Sequence, residues 1–583
     1  MLDYDMTQRR EDPLYAYLGK CIKRDIDSGA IDAHEKLPSK RALARNLGIG
    51  VITVEAAYEQ LIAEGYLYAE RHRGYFACDV RPDRNDATST HAENASRQVP
   101  APDGSSLRRQ AEKRGGIVAS SYGKAERTAS RGQAARAHKP EEARRIRFDF
   151  SFDAVPSSSF PLSTWIKTLR DTMADEDPQA LLAPGDPNGT ERLRIALSDH
   201  LRRTRDLAAD PARIVIGAGA QTLYDRIAQL LGKDAVIALE DPGDPRLARI
   251  YEMHGIRIVS IGLDEDGIDA GALRASPASA AHIAPSHQFP TGASMPASRR
   301  YELLAWASER PDRYIIEDDR DDAFRLAGKP LAALKSIDEN DCVIHVGTFE
   351  HVLGPSFRIA YMVLPARLAR VYRETMHCYS CTVSTIDQFA LARFIEQKDL
   401  EHFIGRTKTR CRNARNALME ALEKTPSSRY VEIEHADAGL YLVLRVSARN
   451  TAKTDRHASA AATRHMRANA IDRTPFYPPS AGRKDADRTS DSETPCDLQA
   501  ATEERIAASL VRQDVIVEPL SRFRTNAGAR ADAAKERMPH AERFPEATDE
   551  RIVCRFALNY AALPRHEARA AAEAIHRGLA AFL

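Results

Sequence analysis

A chain of 583 residues is too long for one compact core, and a formal charge of +1, from 84 Lys+Arg against 83 Asp+Glu, excludes a global field that draws the protein to nucleic acid or membrane. Any basic surface must be local. No stretch of about 18 apolar residues occurs and no apolar run follows a basic N-terminal segment, so no membrane partner is expected and the cytoplasm is the expected location.

Residues 13–80 read as three helices and a hairpin. In PLYAYLGKCIKRDIDSGAI, residues Leu14, Leu18, Cys21, Ile22 and Ile26 keep helical spacing, and Gly29 stops the run. LPSKRALARNLG places Ser39 as N-cap, Leu43 and Leu47 four apart, and Gly48 as the stop. VITVEAAYEQLIAEG puts Val54, Ala57, Tyr58 and Leu61 on one face and ends at Gly65. YLYAERHRGYFACDV alternates around Arg71, His72, Arg73 and Gly74, as a short hairpin does. That order predicts a winged helix-turn-helix over residues 1–80.

From 81 to 147 periodicity is lost. The stretch is rich in Ala, Ser, Arg and Gly, with 15 Lys+Arg against 8 Asp+Glu, and reads as a flexible basic linker. From 148 onward, strand-like runs (ARIVIGAG, DAVIALEDP, IRIVSIGL, YIIEDD, CVIHVGT, IAYMVLP) alternate with amphipathic stretches, which predicts an α/β domain with a mainly parallel sheet. Residues 449–500 and 525–548 are polar and Ala/Arg/Asp-rich, and read as solvated low-complexity insertions. The segments between and after them read as the rest of a smaller C-terminal α/β subdomain, so 148–583 reads as one α/β unit with insertions. The eight cysteines include one CxxC (Cys378, Cys381) with no zinc-spaced partners, so no metal site is expected.

The N-terminal unit resembles the winged helix of the GntR regulators, through LPSKRALARNLG, TVEAAYEQLIAEGYL and the wing RHRGYF. The resemblance implies double-stranded DNA as partner, contacted by Lys40 and Arg41, by Thr53 at the recognition-helix start, and by Arg73 and Gly74 at the wing. A helix N-terminus and flanking cations suit phosphate contact. Two features run against this. Residues 1–80 hold 11 Lys+Arg against 13 Asp+Glu, and Gly50-Val51 stands where the family often has Ser-Arg.

The large unit resembles fold-type-I pyridoxal-phosphate (PLP) aminotransferases, through GAGAQTLYDRIAQLL, ALEDPGDPRLARIYEMHG, PSHQFPTGASMPASRRYELLAWA, YIIEDDRDDAFRLAGKPLAAL and VGTFEHVLGPSFRIAY. The combination is similar to the MocR-type subgroup of GntR regulators. It implies a multidomain homodimer with PLP-type positions at Gly219, Ala220, Gln221, Asp318, Thr348 and Arg358. Phe289-Pro290-Thr291-Gly292 matches the loop along the cofactor's edge. His351 stands at the Schiff-base lysine position, and imidazole has no primary amine. Glu350 replaces a small hydroxyl residue, Arg320 a tyrosine, Asp244 a ring-stacking aromatic and Pro184 a tyrosine. The nearest lysines, Lys329 and Lys335, are expected at the surface. The implied protein is a DNA-binding regulator with no catalytic residue for transamination, with PLP held non-covalently and weakly if at all, and an effector left open. A working aminotransferase using another amine, or a decayed interaction protein, are the alternatives.

Overall fold

The structure is a computed structural model that describes residues 2, 4–9, 13–70, 73–79, 146–152, 160–183, 185–320, 322–326, 332–437, 439–449, 495–525 and 551–583. The expected linker lies outside the described residues except for 146 and 147, as do most of both expected insertions. The insertion bounds need correction where residues are described. Arg449 closes a strand, and a helix starts at Pro495 with Ile506, Ala507 and Leu510 buried in the C-terminal core. Thr525 is also tied down, its N–H and hydroxyl both donating to the Asp241 carboxylate.

In the N-terminal unit, α1 spans Leu14–Ser28, α2 Lys40–Asn46 and α3 Val51–Ala63, followed by β1 (Leu67–Glu70) and β2 (Gly74–Ala77). Gly29, at φ +78°, takes the left-handed cap that ends α1, and Ser39 Oγ accepts the Ala42 N–H at 3.2 Å to start α2. The apolar spacing read from the sequence becomes one core of Leu18, Ile22, Ile26, Leu43, Val54, Tyr58 and Leu61. Each such side chain contributes about 1.5–3 kcal/mol of burial. β1 and β2 pair antiparallel, Leu67 opposite Ala77, and form the wing.

The remaining strands are β3 Phe148–Asp149, β4 Ile214–Gly217, β5 Val236–Asp241, β6 Arg257–Asp264, β7 Gly267–Ile268, β8 Ala280–Ile283, β9 Tyr314–Asp319, β10 Val343–Thr348, β11 Ala360–Val363, β12 Val431–Glu434, β13 Tyr441–Arg449, β14 Val515–Ile516, β15 Glu518–Pro519 and β16 Arg551–Asn559. The main sheet has the order β4-β11-β10-β9-β8-β5-β6-β7. Its centre, β10, β9, β8, β5 and β6, is parallel, whereas β11 runs antiparallel to both β10 and β4, so the sheet is mixed. Helices cover both faces, which is why the central strands are apolar runs without alternation. A second, antiparallel sheet, β12-β13-β16-β15, packs with helices Asp399–Glu423, Pro495–Val511 and Ala568–Leu579 around a separate core. Parallel pairing of β14 with β3 ties the start of the large domain to its end.

All six residues of β9, YIIEDD, are buried, three of them acids. The strand's period of two sends Asp318 to one face and Glu317 and Asp319 to the other. This alternation positions two separate charge clusters near the carboxyl end of the parallel strands, where open α/β sheets place their ligand sites.

Candidate functional site

Two surfaces hold the residues singled out by sequence. The first is the N-terminal unit. Arg41 and Arg45 are exposed on α2. Lys40 is instead held by the Glu55 carboxylate of α3 at 2.5 Å, with its ammonium 5.6 Å from the Tyr75 ring centre. Thr53 is partly buried, while Val51 and Ile52 in the first turn of α3 stand 43% and 81% exposed. Arg73 is exposed and pairs with Glu70 at 2.5 Å across the wing turn. Gly74 has φ +119°, and Lys36 lies alongside it, since an isolated bridge pairs Lys36 with Phe76. Arg71 and His72 lie outside the described residues. Glu55 as the partner of Lys40 was missed by the sequence reading. A spacing of 15 residues across two helices carries no local signal.

The second surface is the pocket at the carboxyl ends of β8, β9 and β10. Asp318 Oδ2 accepts the Tyr224 hydroxyl at 2.9 Å and Arg320 through Nη2 at 2.5 Å and Nε at 3.2 Å, with His282 Nε2 at 3.5 Å. Burial pushes the Asp318 carboxyl up, but Arg320 and His282 outweigh it and hold the group well below the usual carboxylate range. Arg320 reaches on to Asp244 Oδ2 at 3.2 Å, and its guanidinium lies 5.4 Å from the Phe289 ring centre. Asp244 caps helix Pro245–Met253 by accepting the Arg246 N–H at 3.0 Å, and its side chain also binds the Arg246 guanidinium at 2.7 Å. The four groups close two negative charges with two positive ones.

At the other end of the pocket, Gly219 is the N-cap of helix Ala220–Leu231 at φ +85°. Arg358 lies over it, donating to Gln221 Oε1 at 3.3 Å and to the Ala218 carbonyl at 3.4 Å. The Glu350 carboxylate meets Arg358 Nη1 at 2.8 Å. At φ +85° Gly219 adopts a backbone conformation that other residues rarely take, and a Cβ there would lie 2.5 Å from both Arg358 Nη2 and Glu350 Oε1, pushing those two side-chain ends aside. Thr348 Oγ1 accepts the Glu350 N–H at 3.2 Å, which starts the short helix Glu350–Leu353. His351 on that helix is exposed. Thus Gly219, Ala220, Gln221, Thr348 and Arg358 are brought together, and Asp318 forms a distinct end of the same region.

On the opposite face of β9, Glu317, Asp319 and His345 bring potential ligand atoms within 4.8 Å of one another. Each of the three already has a polar partner. Arg205 pairs with Asp319, and Glu317 accepts His345 Nδ1 at 2.9 Å and the backbone N–H groups of Leu334 and Lys335. Burial raises the Glu317 carboxyl, yet His345 and Arg205 bring it down to about 2. This is a structural ion network of the sheet.

Comparison with known proteins follows the same division. Residues 14–76 match the bacterial regulatory proteins of the gntR family. The uncharacterized HTH-type transcriptional regulator YdeL of Bacillus subtilis is 32% identical over 438 residues, which cover 74% of this chain and 84% of YdeL. The chain belongs to the MocR-type GntR regulators. The pyridoxine biosynthesis regulator PdxR of Corynebacterium glutamicum and the probable rhizopine catabolism regulatory protein MocR of Rhizobium meliloti are each 29% identical, over 81% and 82% of their lengths and 73% and 74% of this chain. Among solved structures, the kynurenine aminotransferase of Pyrococcus horikoshii matches with a TM-score of 0.55 and 18% identity, covering 76% of this chain and 92% of that one, which establishes the fold alone.

A MocR-type regulator with PLP needs a lysine amine, a carboxylate free to meet the ring nitrogen, and an open phosphate cup. This regulator's residues do not fit that set. Among the described residues, the polar partners of Asp318 are Tyr224, His282 and Arg320, none of them a primary amine. Within about 4 Å of the Glu350 carboxylate, each charge of a phosphate would meet roughly 4 kcal/mol of repulsion at an effective dielectric of about 20. The expectation that Lys335 lies at the surface is corrected. Its side chain is buried, donating to the Val343 carbonyl at 2.6 Å beside Asp338 and Asp341, at the amino end of β10 and so away from the pocket. Lys329 and Pro184 lie outside the described residues. Among the described residues of the regulator, no helix is long and apolar enough to cross a membrane.

Proposed function

We propose that this transcription regulator binds double-stranded DNA through α2, α3 and the wing, and uses its aminotransferase-like domain for dimerisation and effector sensing in the cytoplasm without transaminating. One observation carries the reading of the pocket. The resemblance to the aminotransferases puts His351 at the nucleophile position, and a side chain with no primary amine cannot form an aldimine with an aldehyde. The Asp318–Arg320 pair supports it, because the carboxylate that would meet a pyridine nitrogen is already engaged. On the DNA side, Arg41, Arg45, Lys36 and Arg73 supply cations on α2 and around the wing, with Lys40, Thr53 and Gly74 completing the proposed contact set.

The test is borohydride treatment of purified protein mixed with PLP, followed by mass measurement and a transaminase assay. No phosphopyridoxyl mass increment on a pocket residue and no amino transfer are expected, alongside salt-sensitive binding to duplex DNA. A reducible adduct in the pocket would show that another amine has taken the lysine's role and would defeat the reading.

A further inference from the structure

We propose that this chain carries its own stand-ins for both charged ends of PLP, Arg320 for the protonated ring nitrogen and Glu350 for the phosphate, so that the pocket is self-occupied. The proposal deepens the non-catalytic reading above and rests on it.

The two ends are built alike. At one, a ring-bearing cofactor would present an N–H to Asp318, and Arg320 presents two, at 2.5 and 3.2 Å. The guanidinium is planar, as a pyridinium is, and it lies against Phe289 in the loop that lines the cofactor's edge in the aminotransferase fold. Its remaining reach goes to Asp244, which stands where that fold has a stacking aromatic. Tyrosine at 320 would supply no cation, and Asp318 and Asp244 would then share a buried site with Arg246 and His282 beside them but no guanidinium between them.

At the other end, the helix Ala220–Leu231 points its N-terminus at the spot where Arg358 lies. That spot favours an anion. Glu350 places a carboxylate beside it, its Oε1 buried and 2.8 Å from Arg358 Nη1 but with no hydrogen bond from the helix N–H groups, so this end is closed by the ion pair alone. The ends of Arg358 and Glu350 both lie against Gly219, where a Cβ would come 2.5 Å from each. The substitutions at 244, 320 and 350 are therefore coupled replacements that keep each end electrically closed. A ligand shifts a two-state equilibrium only through different affinity for the two states. With Asp318 bonded to Arg320 at one end and Arg358 ion-paired with Glu350 at the other, PLP finds neither charged anchor open.

The experiment uses the full-length chain, with PLP and inorganic phosphate as probes, calorimetric titration and thermal midpoint as readouts, and duplex DNA affinity with and without PLP. Wild type is expected to show no saturable PLP binding, no midpoint rise and unchanged DNA affinity. Glu350→Ser is expected to gain phosphate binding, and Arg320→Tyr with Glu350→Ser to bind PLP about tenfold or more tightly than wild type. Each single variant is measured too, so that one failing to fold leaves the other to decide at its own end. Saturable PLP binding by wild type with no reducible adduct would overturn the self-occupied pocket while leaving the non-catalytic reading intact. Binding with a reducible adduct would overturn both. Folded variants that gain neither phosphate nor PLP binding would show that Arg320 and Glu350 are not what fills the site.

Discussion

The hydroxyls of Tyr66 and Tyr301 lie 3.2 Å apart across 235 residues of sequence, and they mark where the winged helix rests on the large domain. Around them the Ala297 N–H donates to the Glu64 carbonyl at 3.1 Å, Lys23 pairs with the buried Glu64 at 2.7 Å, and Ala297 joins the winged-helix core. Gly65 closes α3 at φ +76°, where a Cβ would come within 2.9 Å of Pro296 Cβ. Strain and collision act together at that residue. Gly65→Ala is expected to cost about 1–2 kcal/mol or more and to loosen the contact. Differential scanning calorimetry should resolve an earlier, separate transition for the winged helix. A single unchanged transition would mean that the contact contributes nothing to stability.

The Lys40–Glu55 pair makes a second prediction. Glu55→Gln removes the anion that holds Lys40 and is expected to strengthen DNA binding, most visibly at low salt. Arg41→Ala is expected to weaken binding on all sequences alike and to reduce the salt slope by about 1. Ile52, exposed at the start of α3, the helix proposed to enter the groove, is expected to alter sequence preference rather than the salt slope when changed to alanine. Fluorescence anisotropy across a salt series separates the three effects.

Arg320→Met should be one of the most destabilising single changes in the domain. Asp318 and Asp244 are 4% and 8% exposed, and removing the cation between them leaves uncompensated buried charge, a loss of about 3–5 kcal/mol. Adding Asp318→Asn should recover part of the loss, because it removes the charge that Arg320 balanced. Urea denaturation of the two variants measures this. Equal stability of both would place the energy elsewhere.

The pocket also sets a pH dependence. Burial pushes the Glu240 carboxyl from 4.5 up to about 7, partly offset by the Ala284 N–H and the Gln288 amide. Between those values the folded chain holds a proton that the unfolded chain has lost. Stability from this group therefore falls as pH rises through the window, by at most on the order of 3 kcal/mol. Asp318 and Glu317 act in the opposite sense. Both carboxyls are held below their ordinary values, so their stabilisation is present above about pH 4 and lost as pH falls further. Thermal midpoints from pH 4 to 8 should show the upper decline in wild type and a smaller one in Glu240→Gln. Parallel curves would refute the assignment to Glu240.

Much of this molecule was legible before any coordinates. The three helices and the wing, the alternation of strands and helices and the position of Asp318 on a strand all follow from patterns of a few residues. Helical spacing, caps such as Ser39 and Gly29, and strand alternation are settled by neighbours on the same segment, so a linear reading suffices. Even the Asp318–Arg320 pair has a local trace, since residues two apart at a strand end face the same side.

What no linear reading supplied was the choice of partners. That Lys40 is held by Glu55, that Arg320 also spans to Asp244, that Arg358 gathers Glu350 against Gly219, and that Lys335 is buried at the far end of β10 depend on which segments the fold brings side by side. The same holds for where the helix at Pro495 begins: residues 495–500 read as the end of an insertion, although they open the helix whose later residues Ile506, Ala507 and Leu510 sit in the C-terminal core. Sequence determined which elements form, because those depend on covalent identity and short-range geometry. Only the tertiary structure decided how the remaining charges are neutralised, because an ion pair forms where distance and burial allow, whatever the separation along the chain.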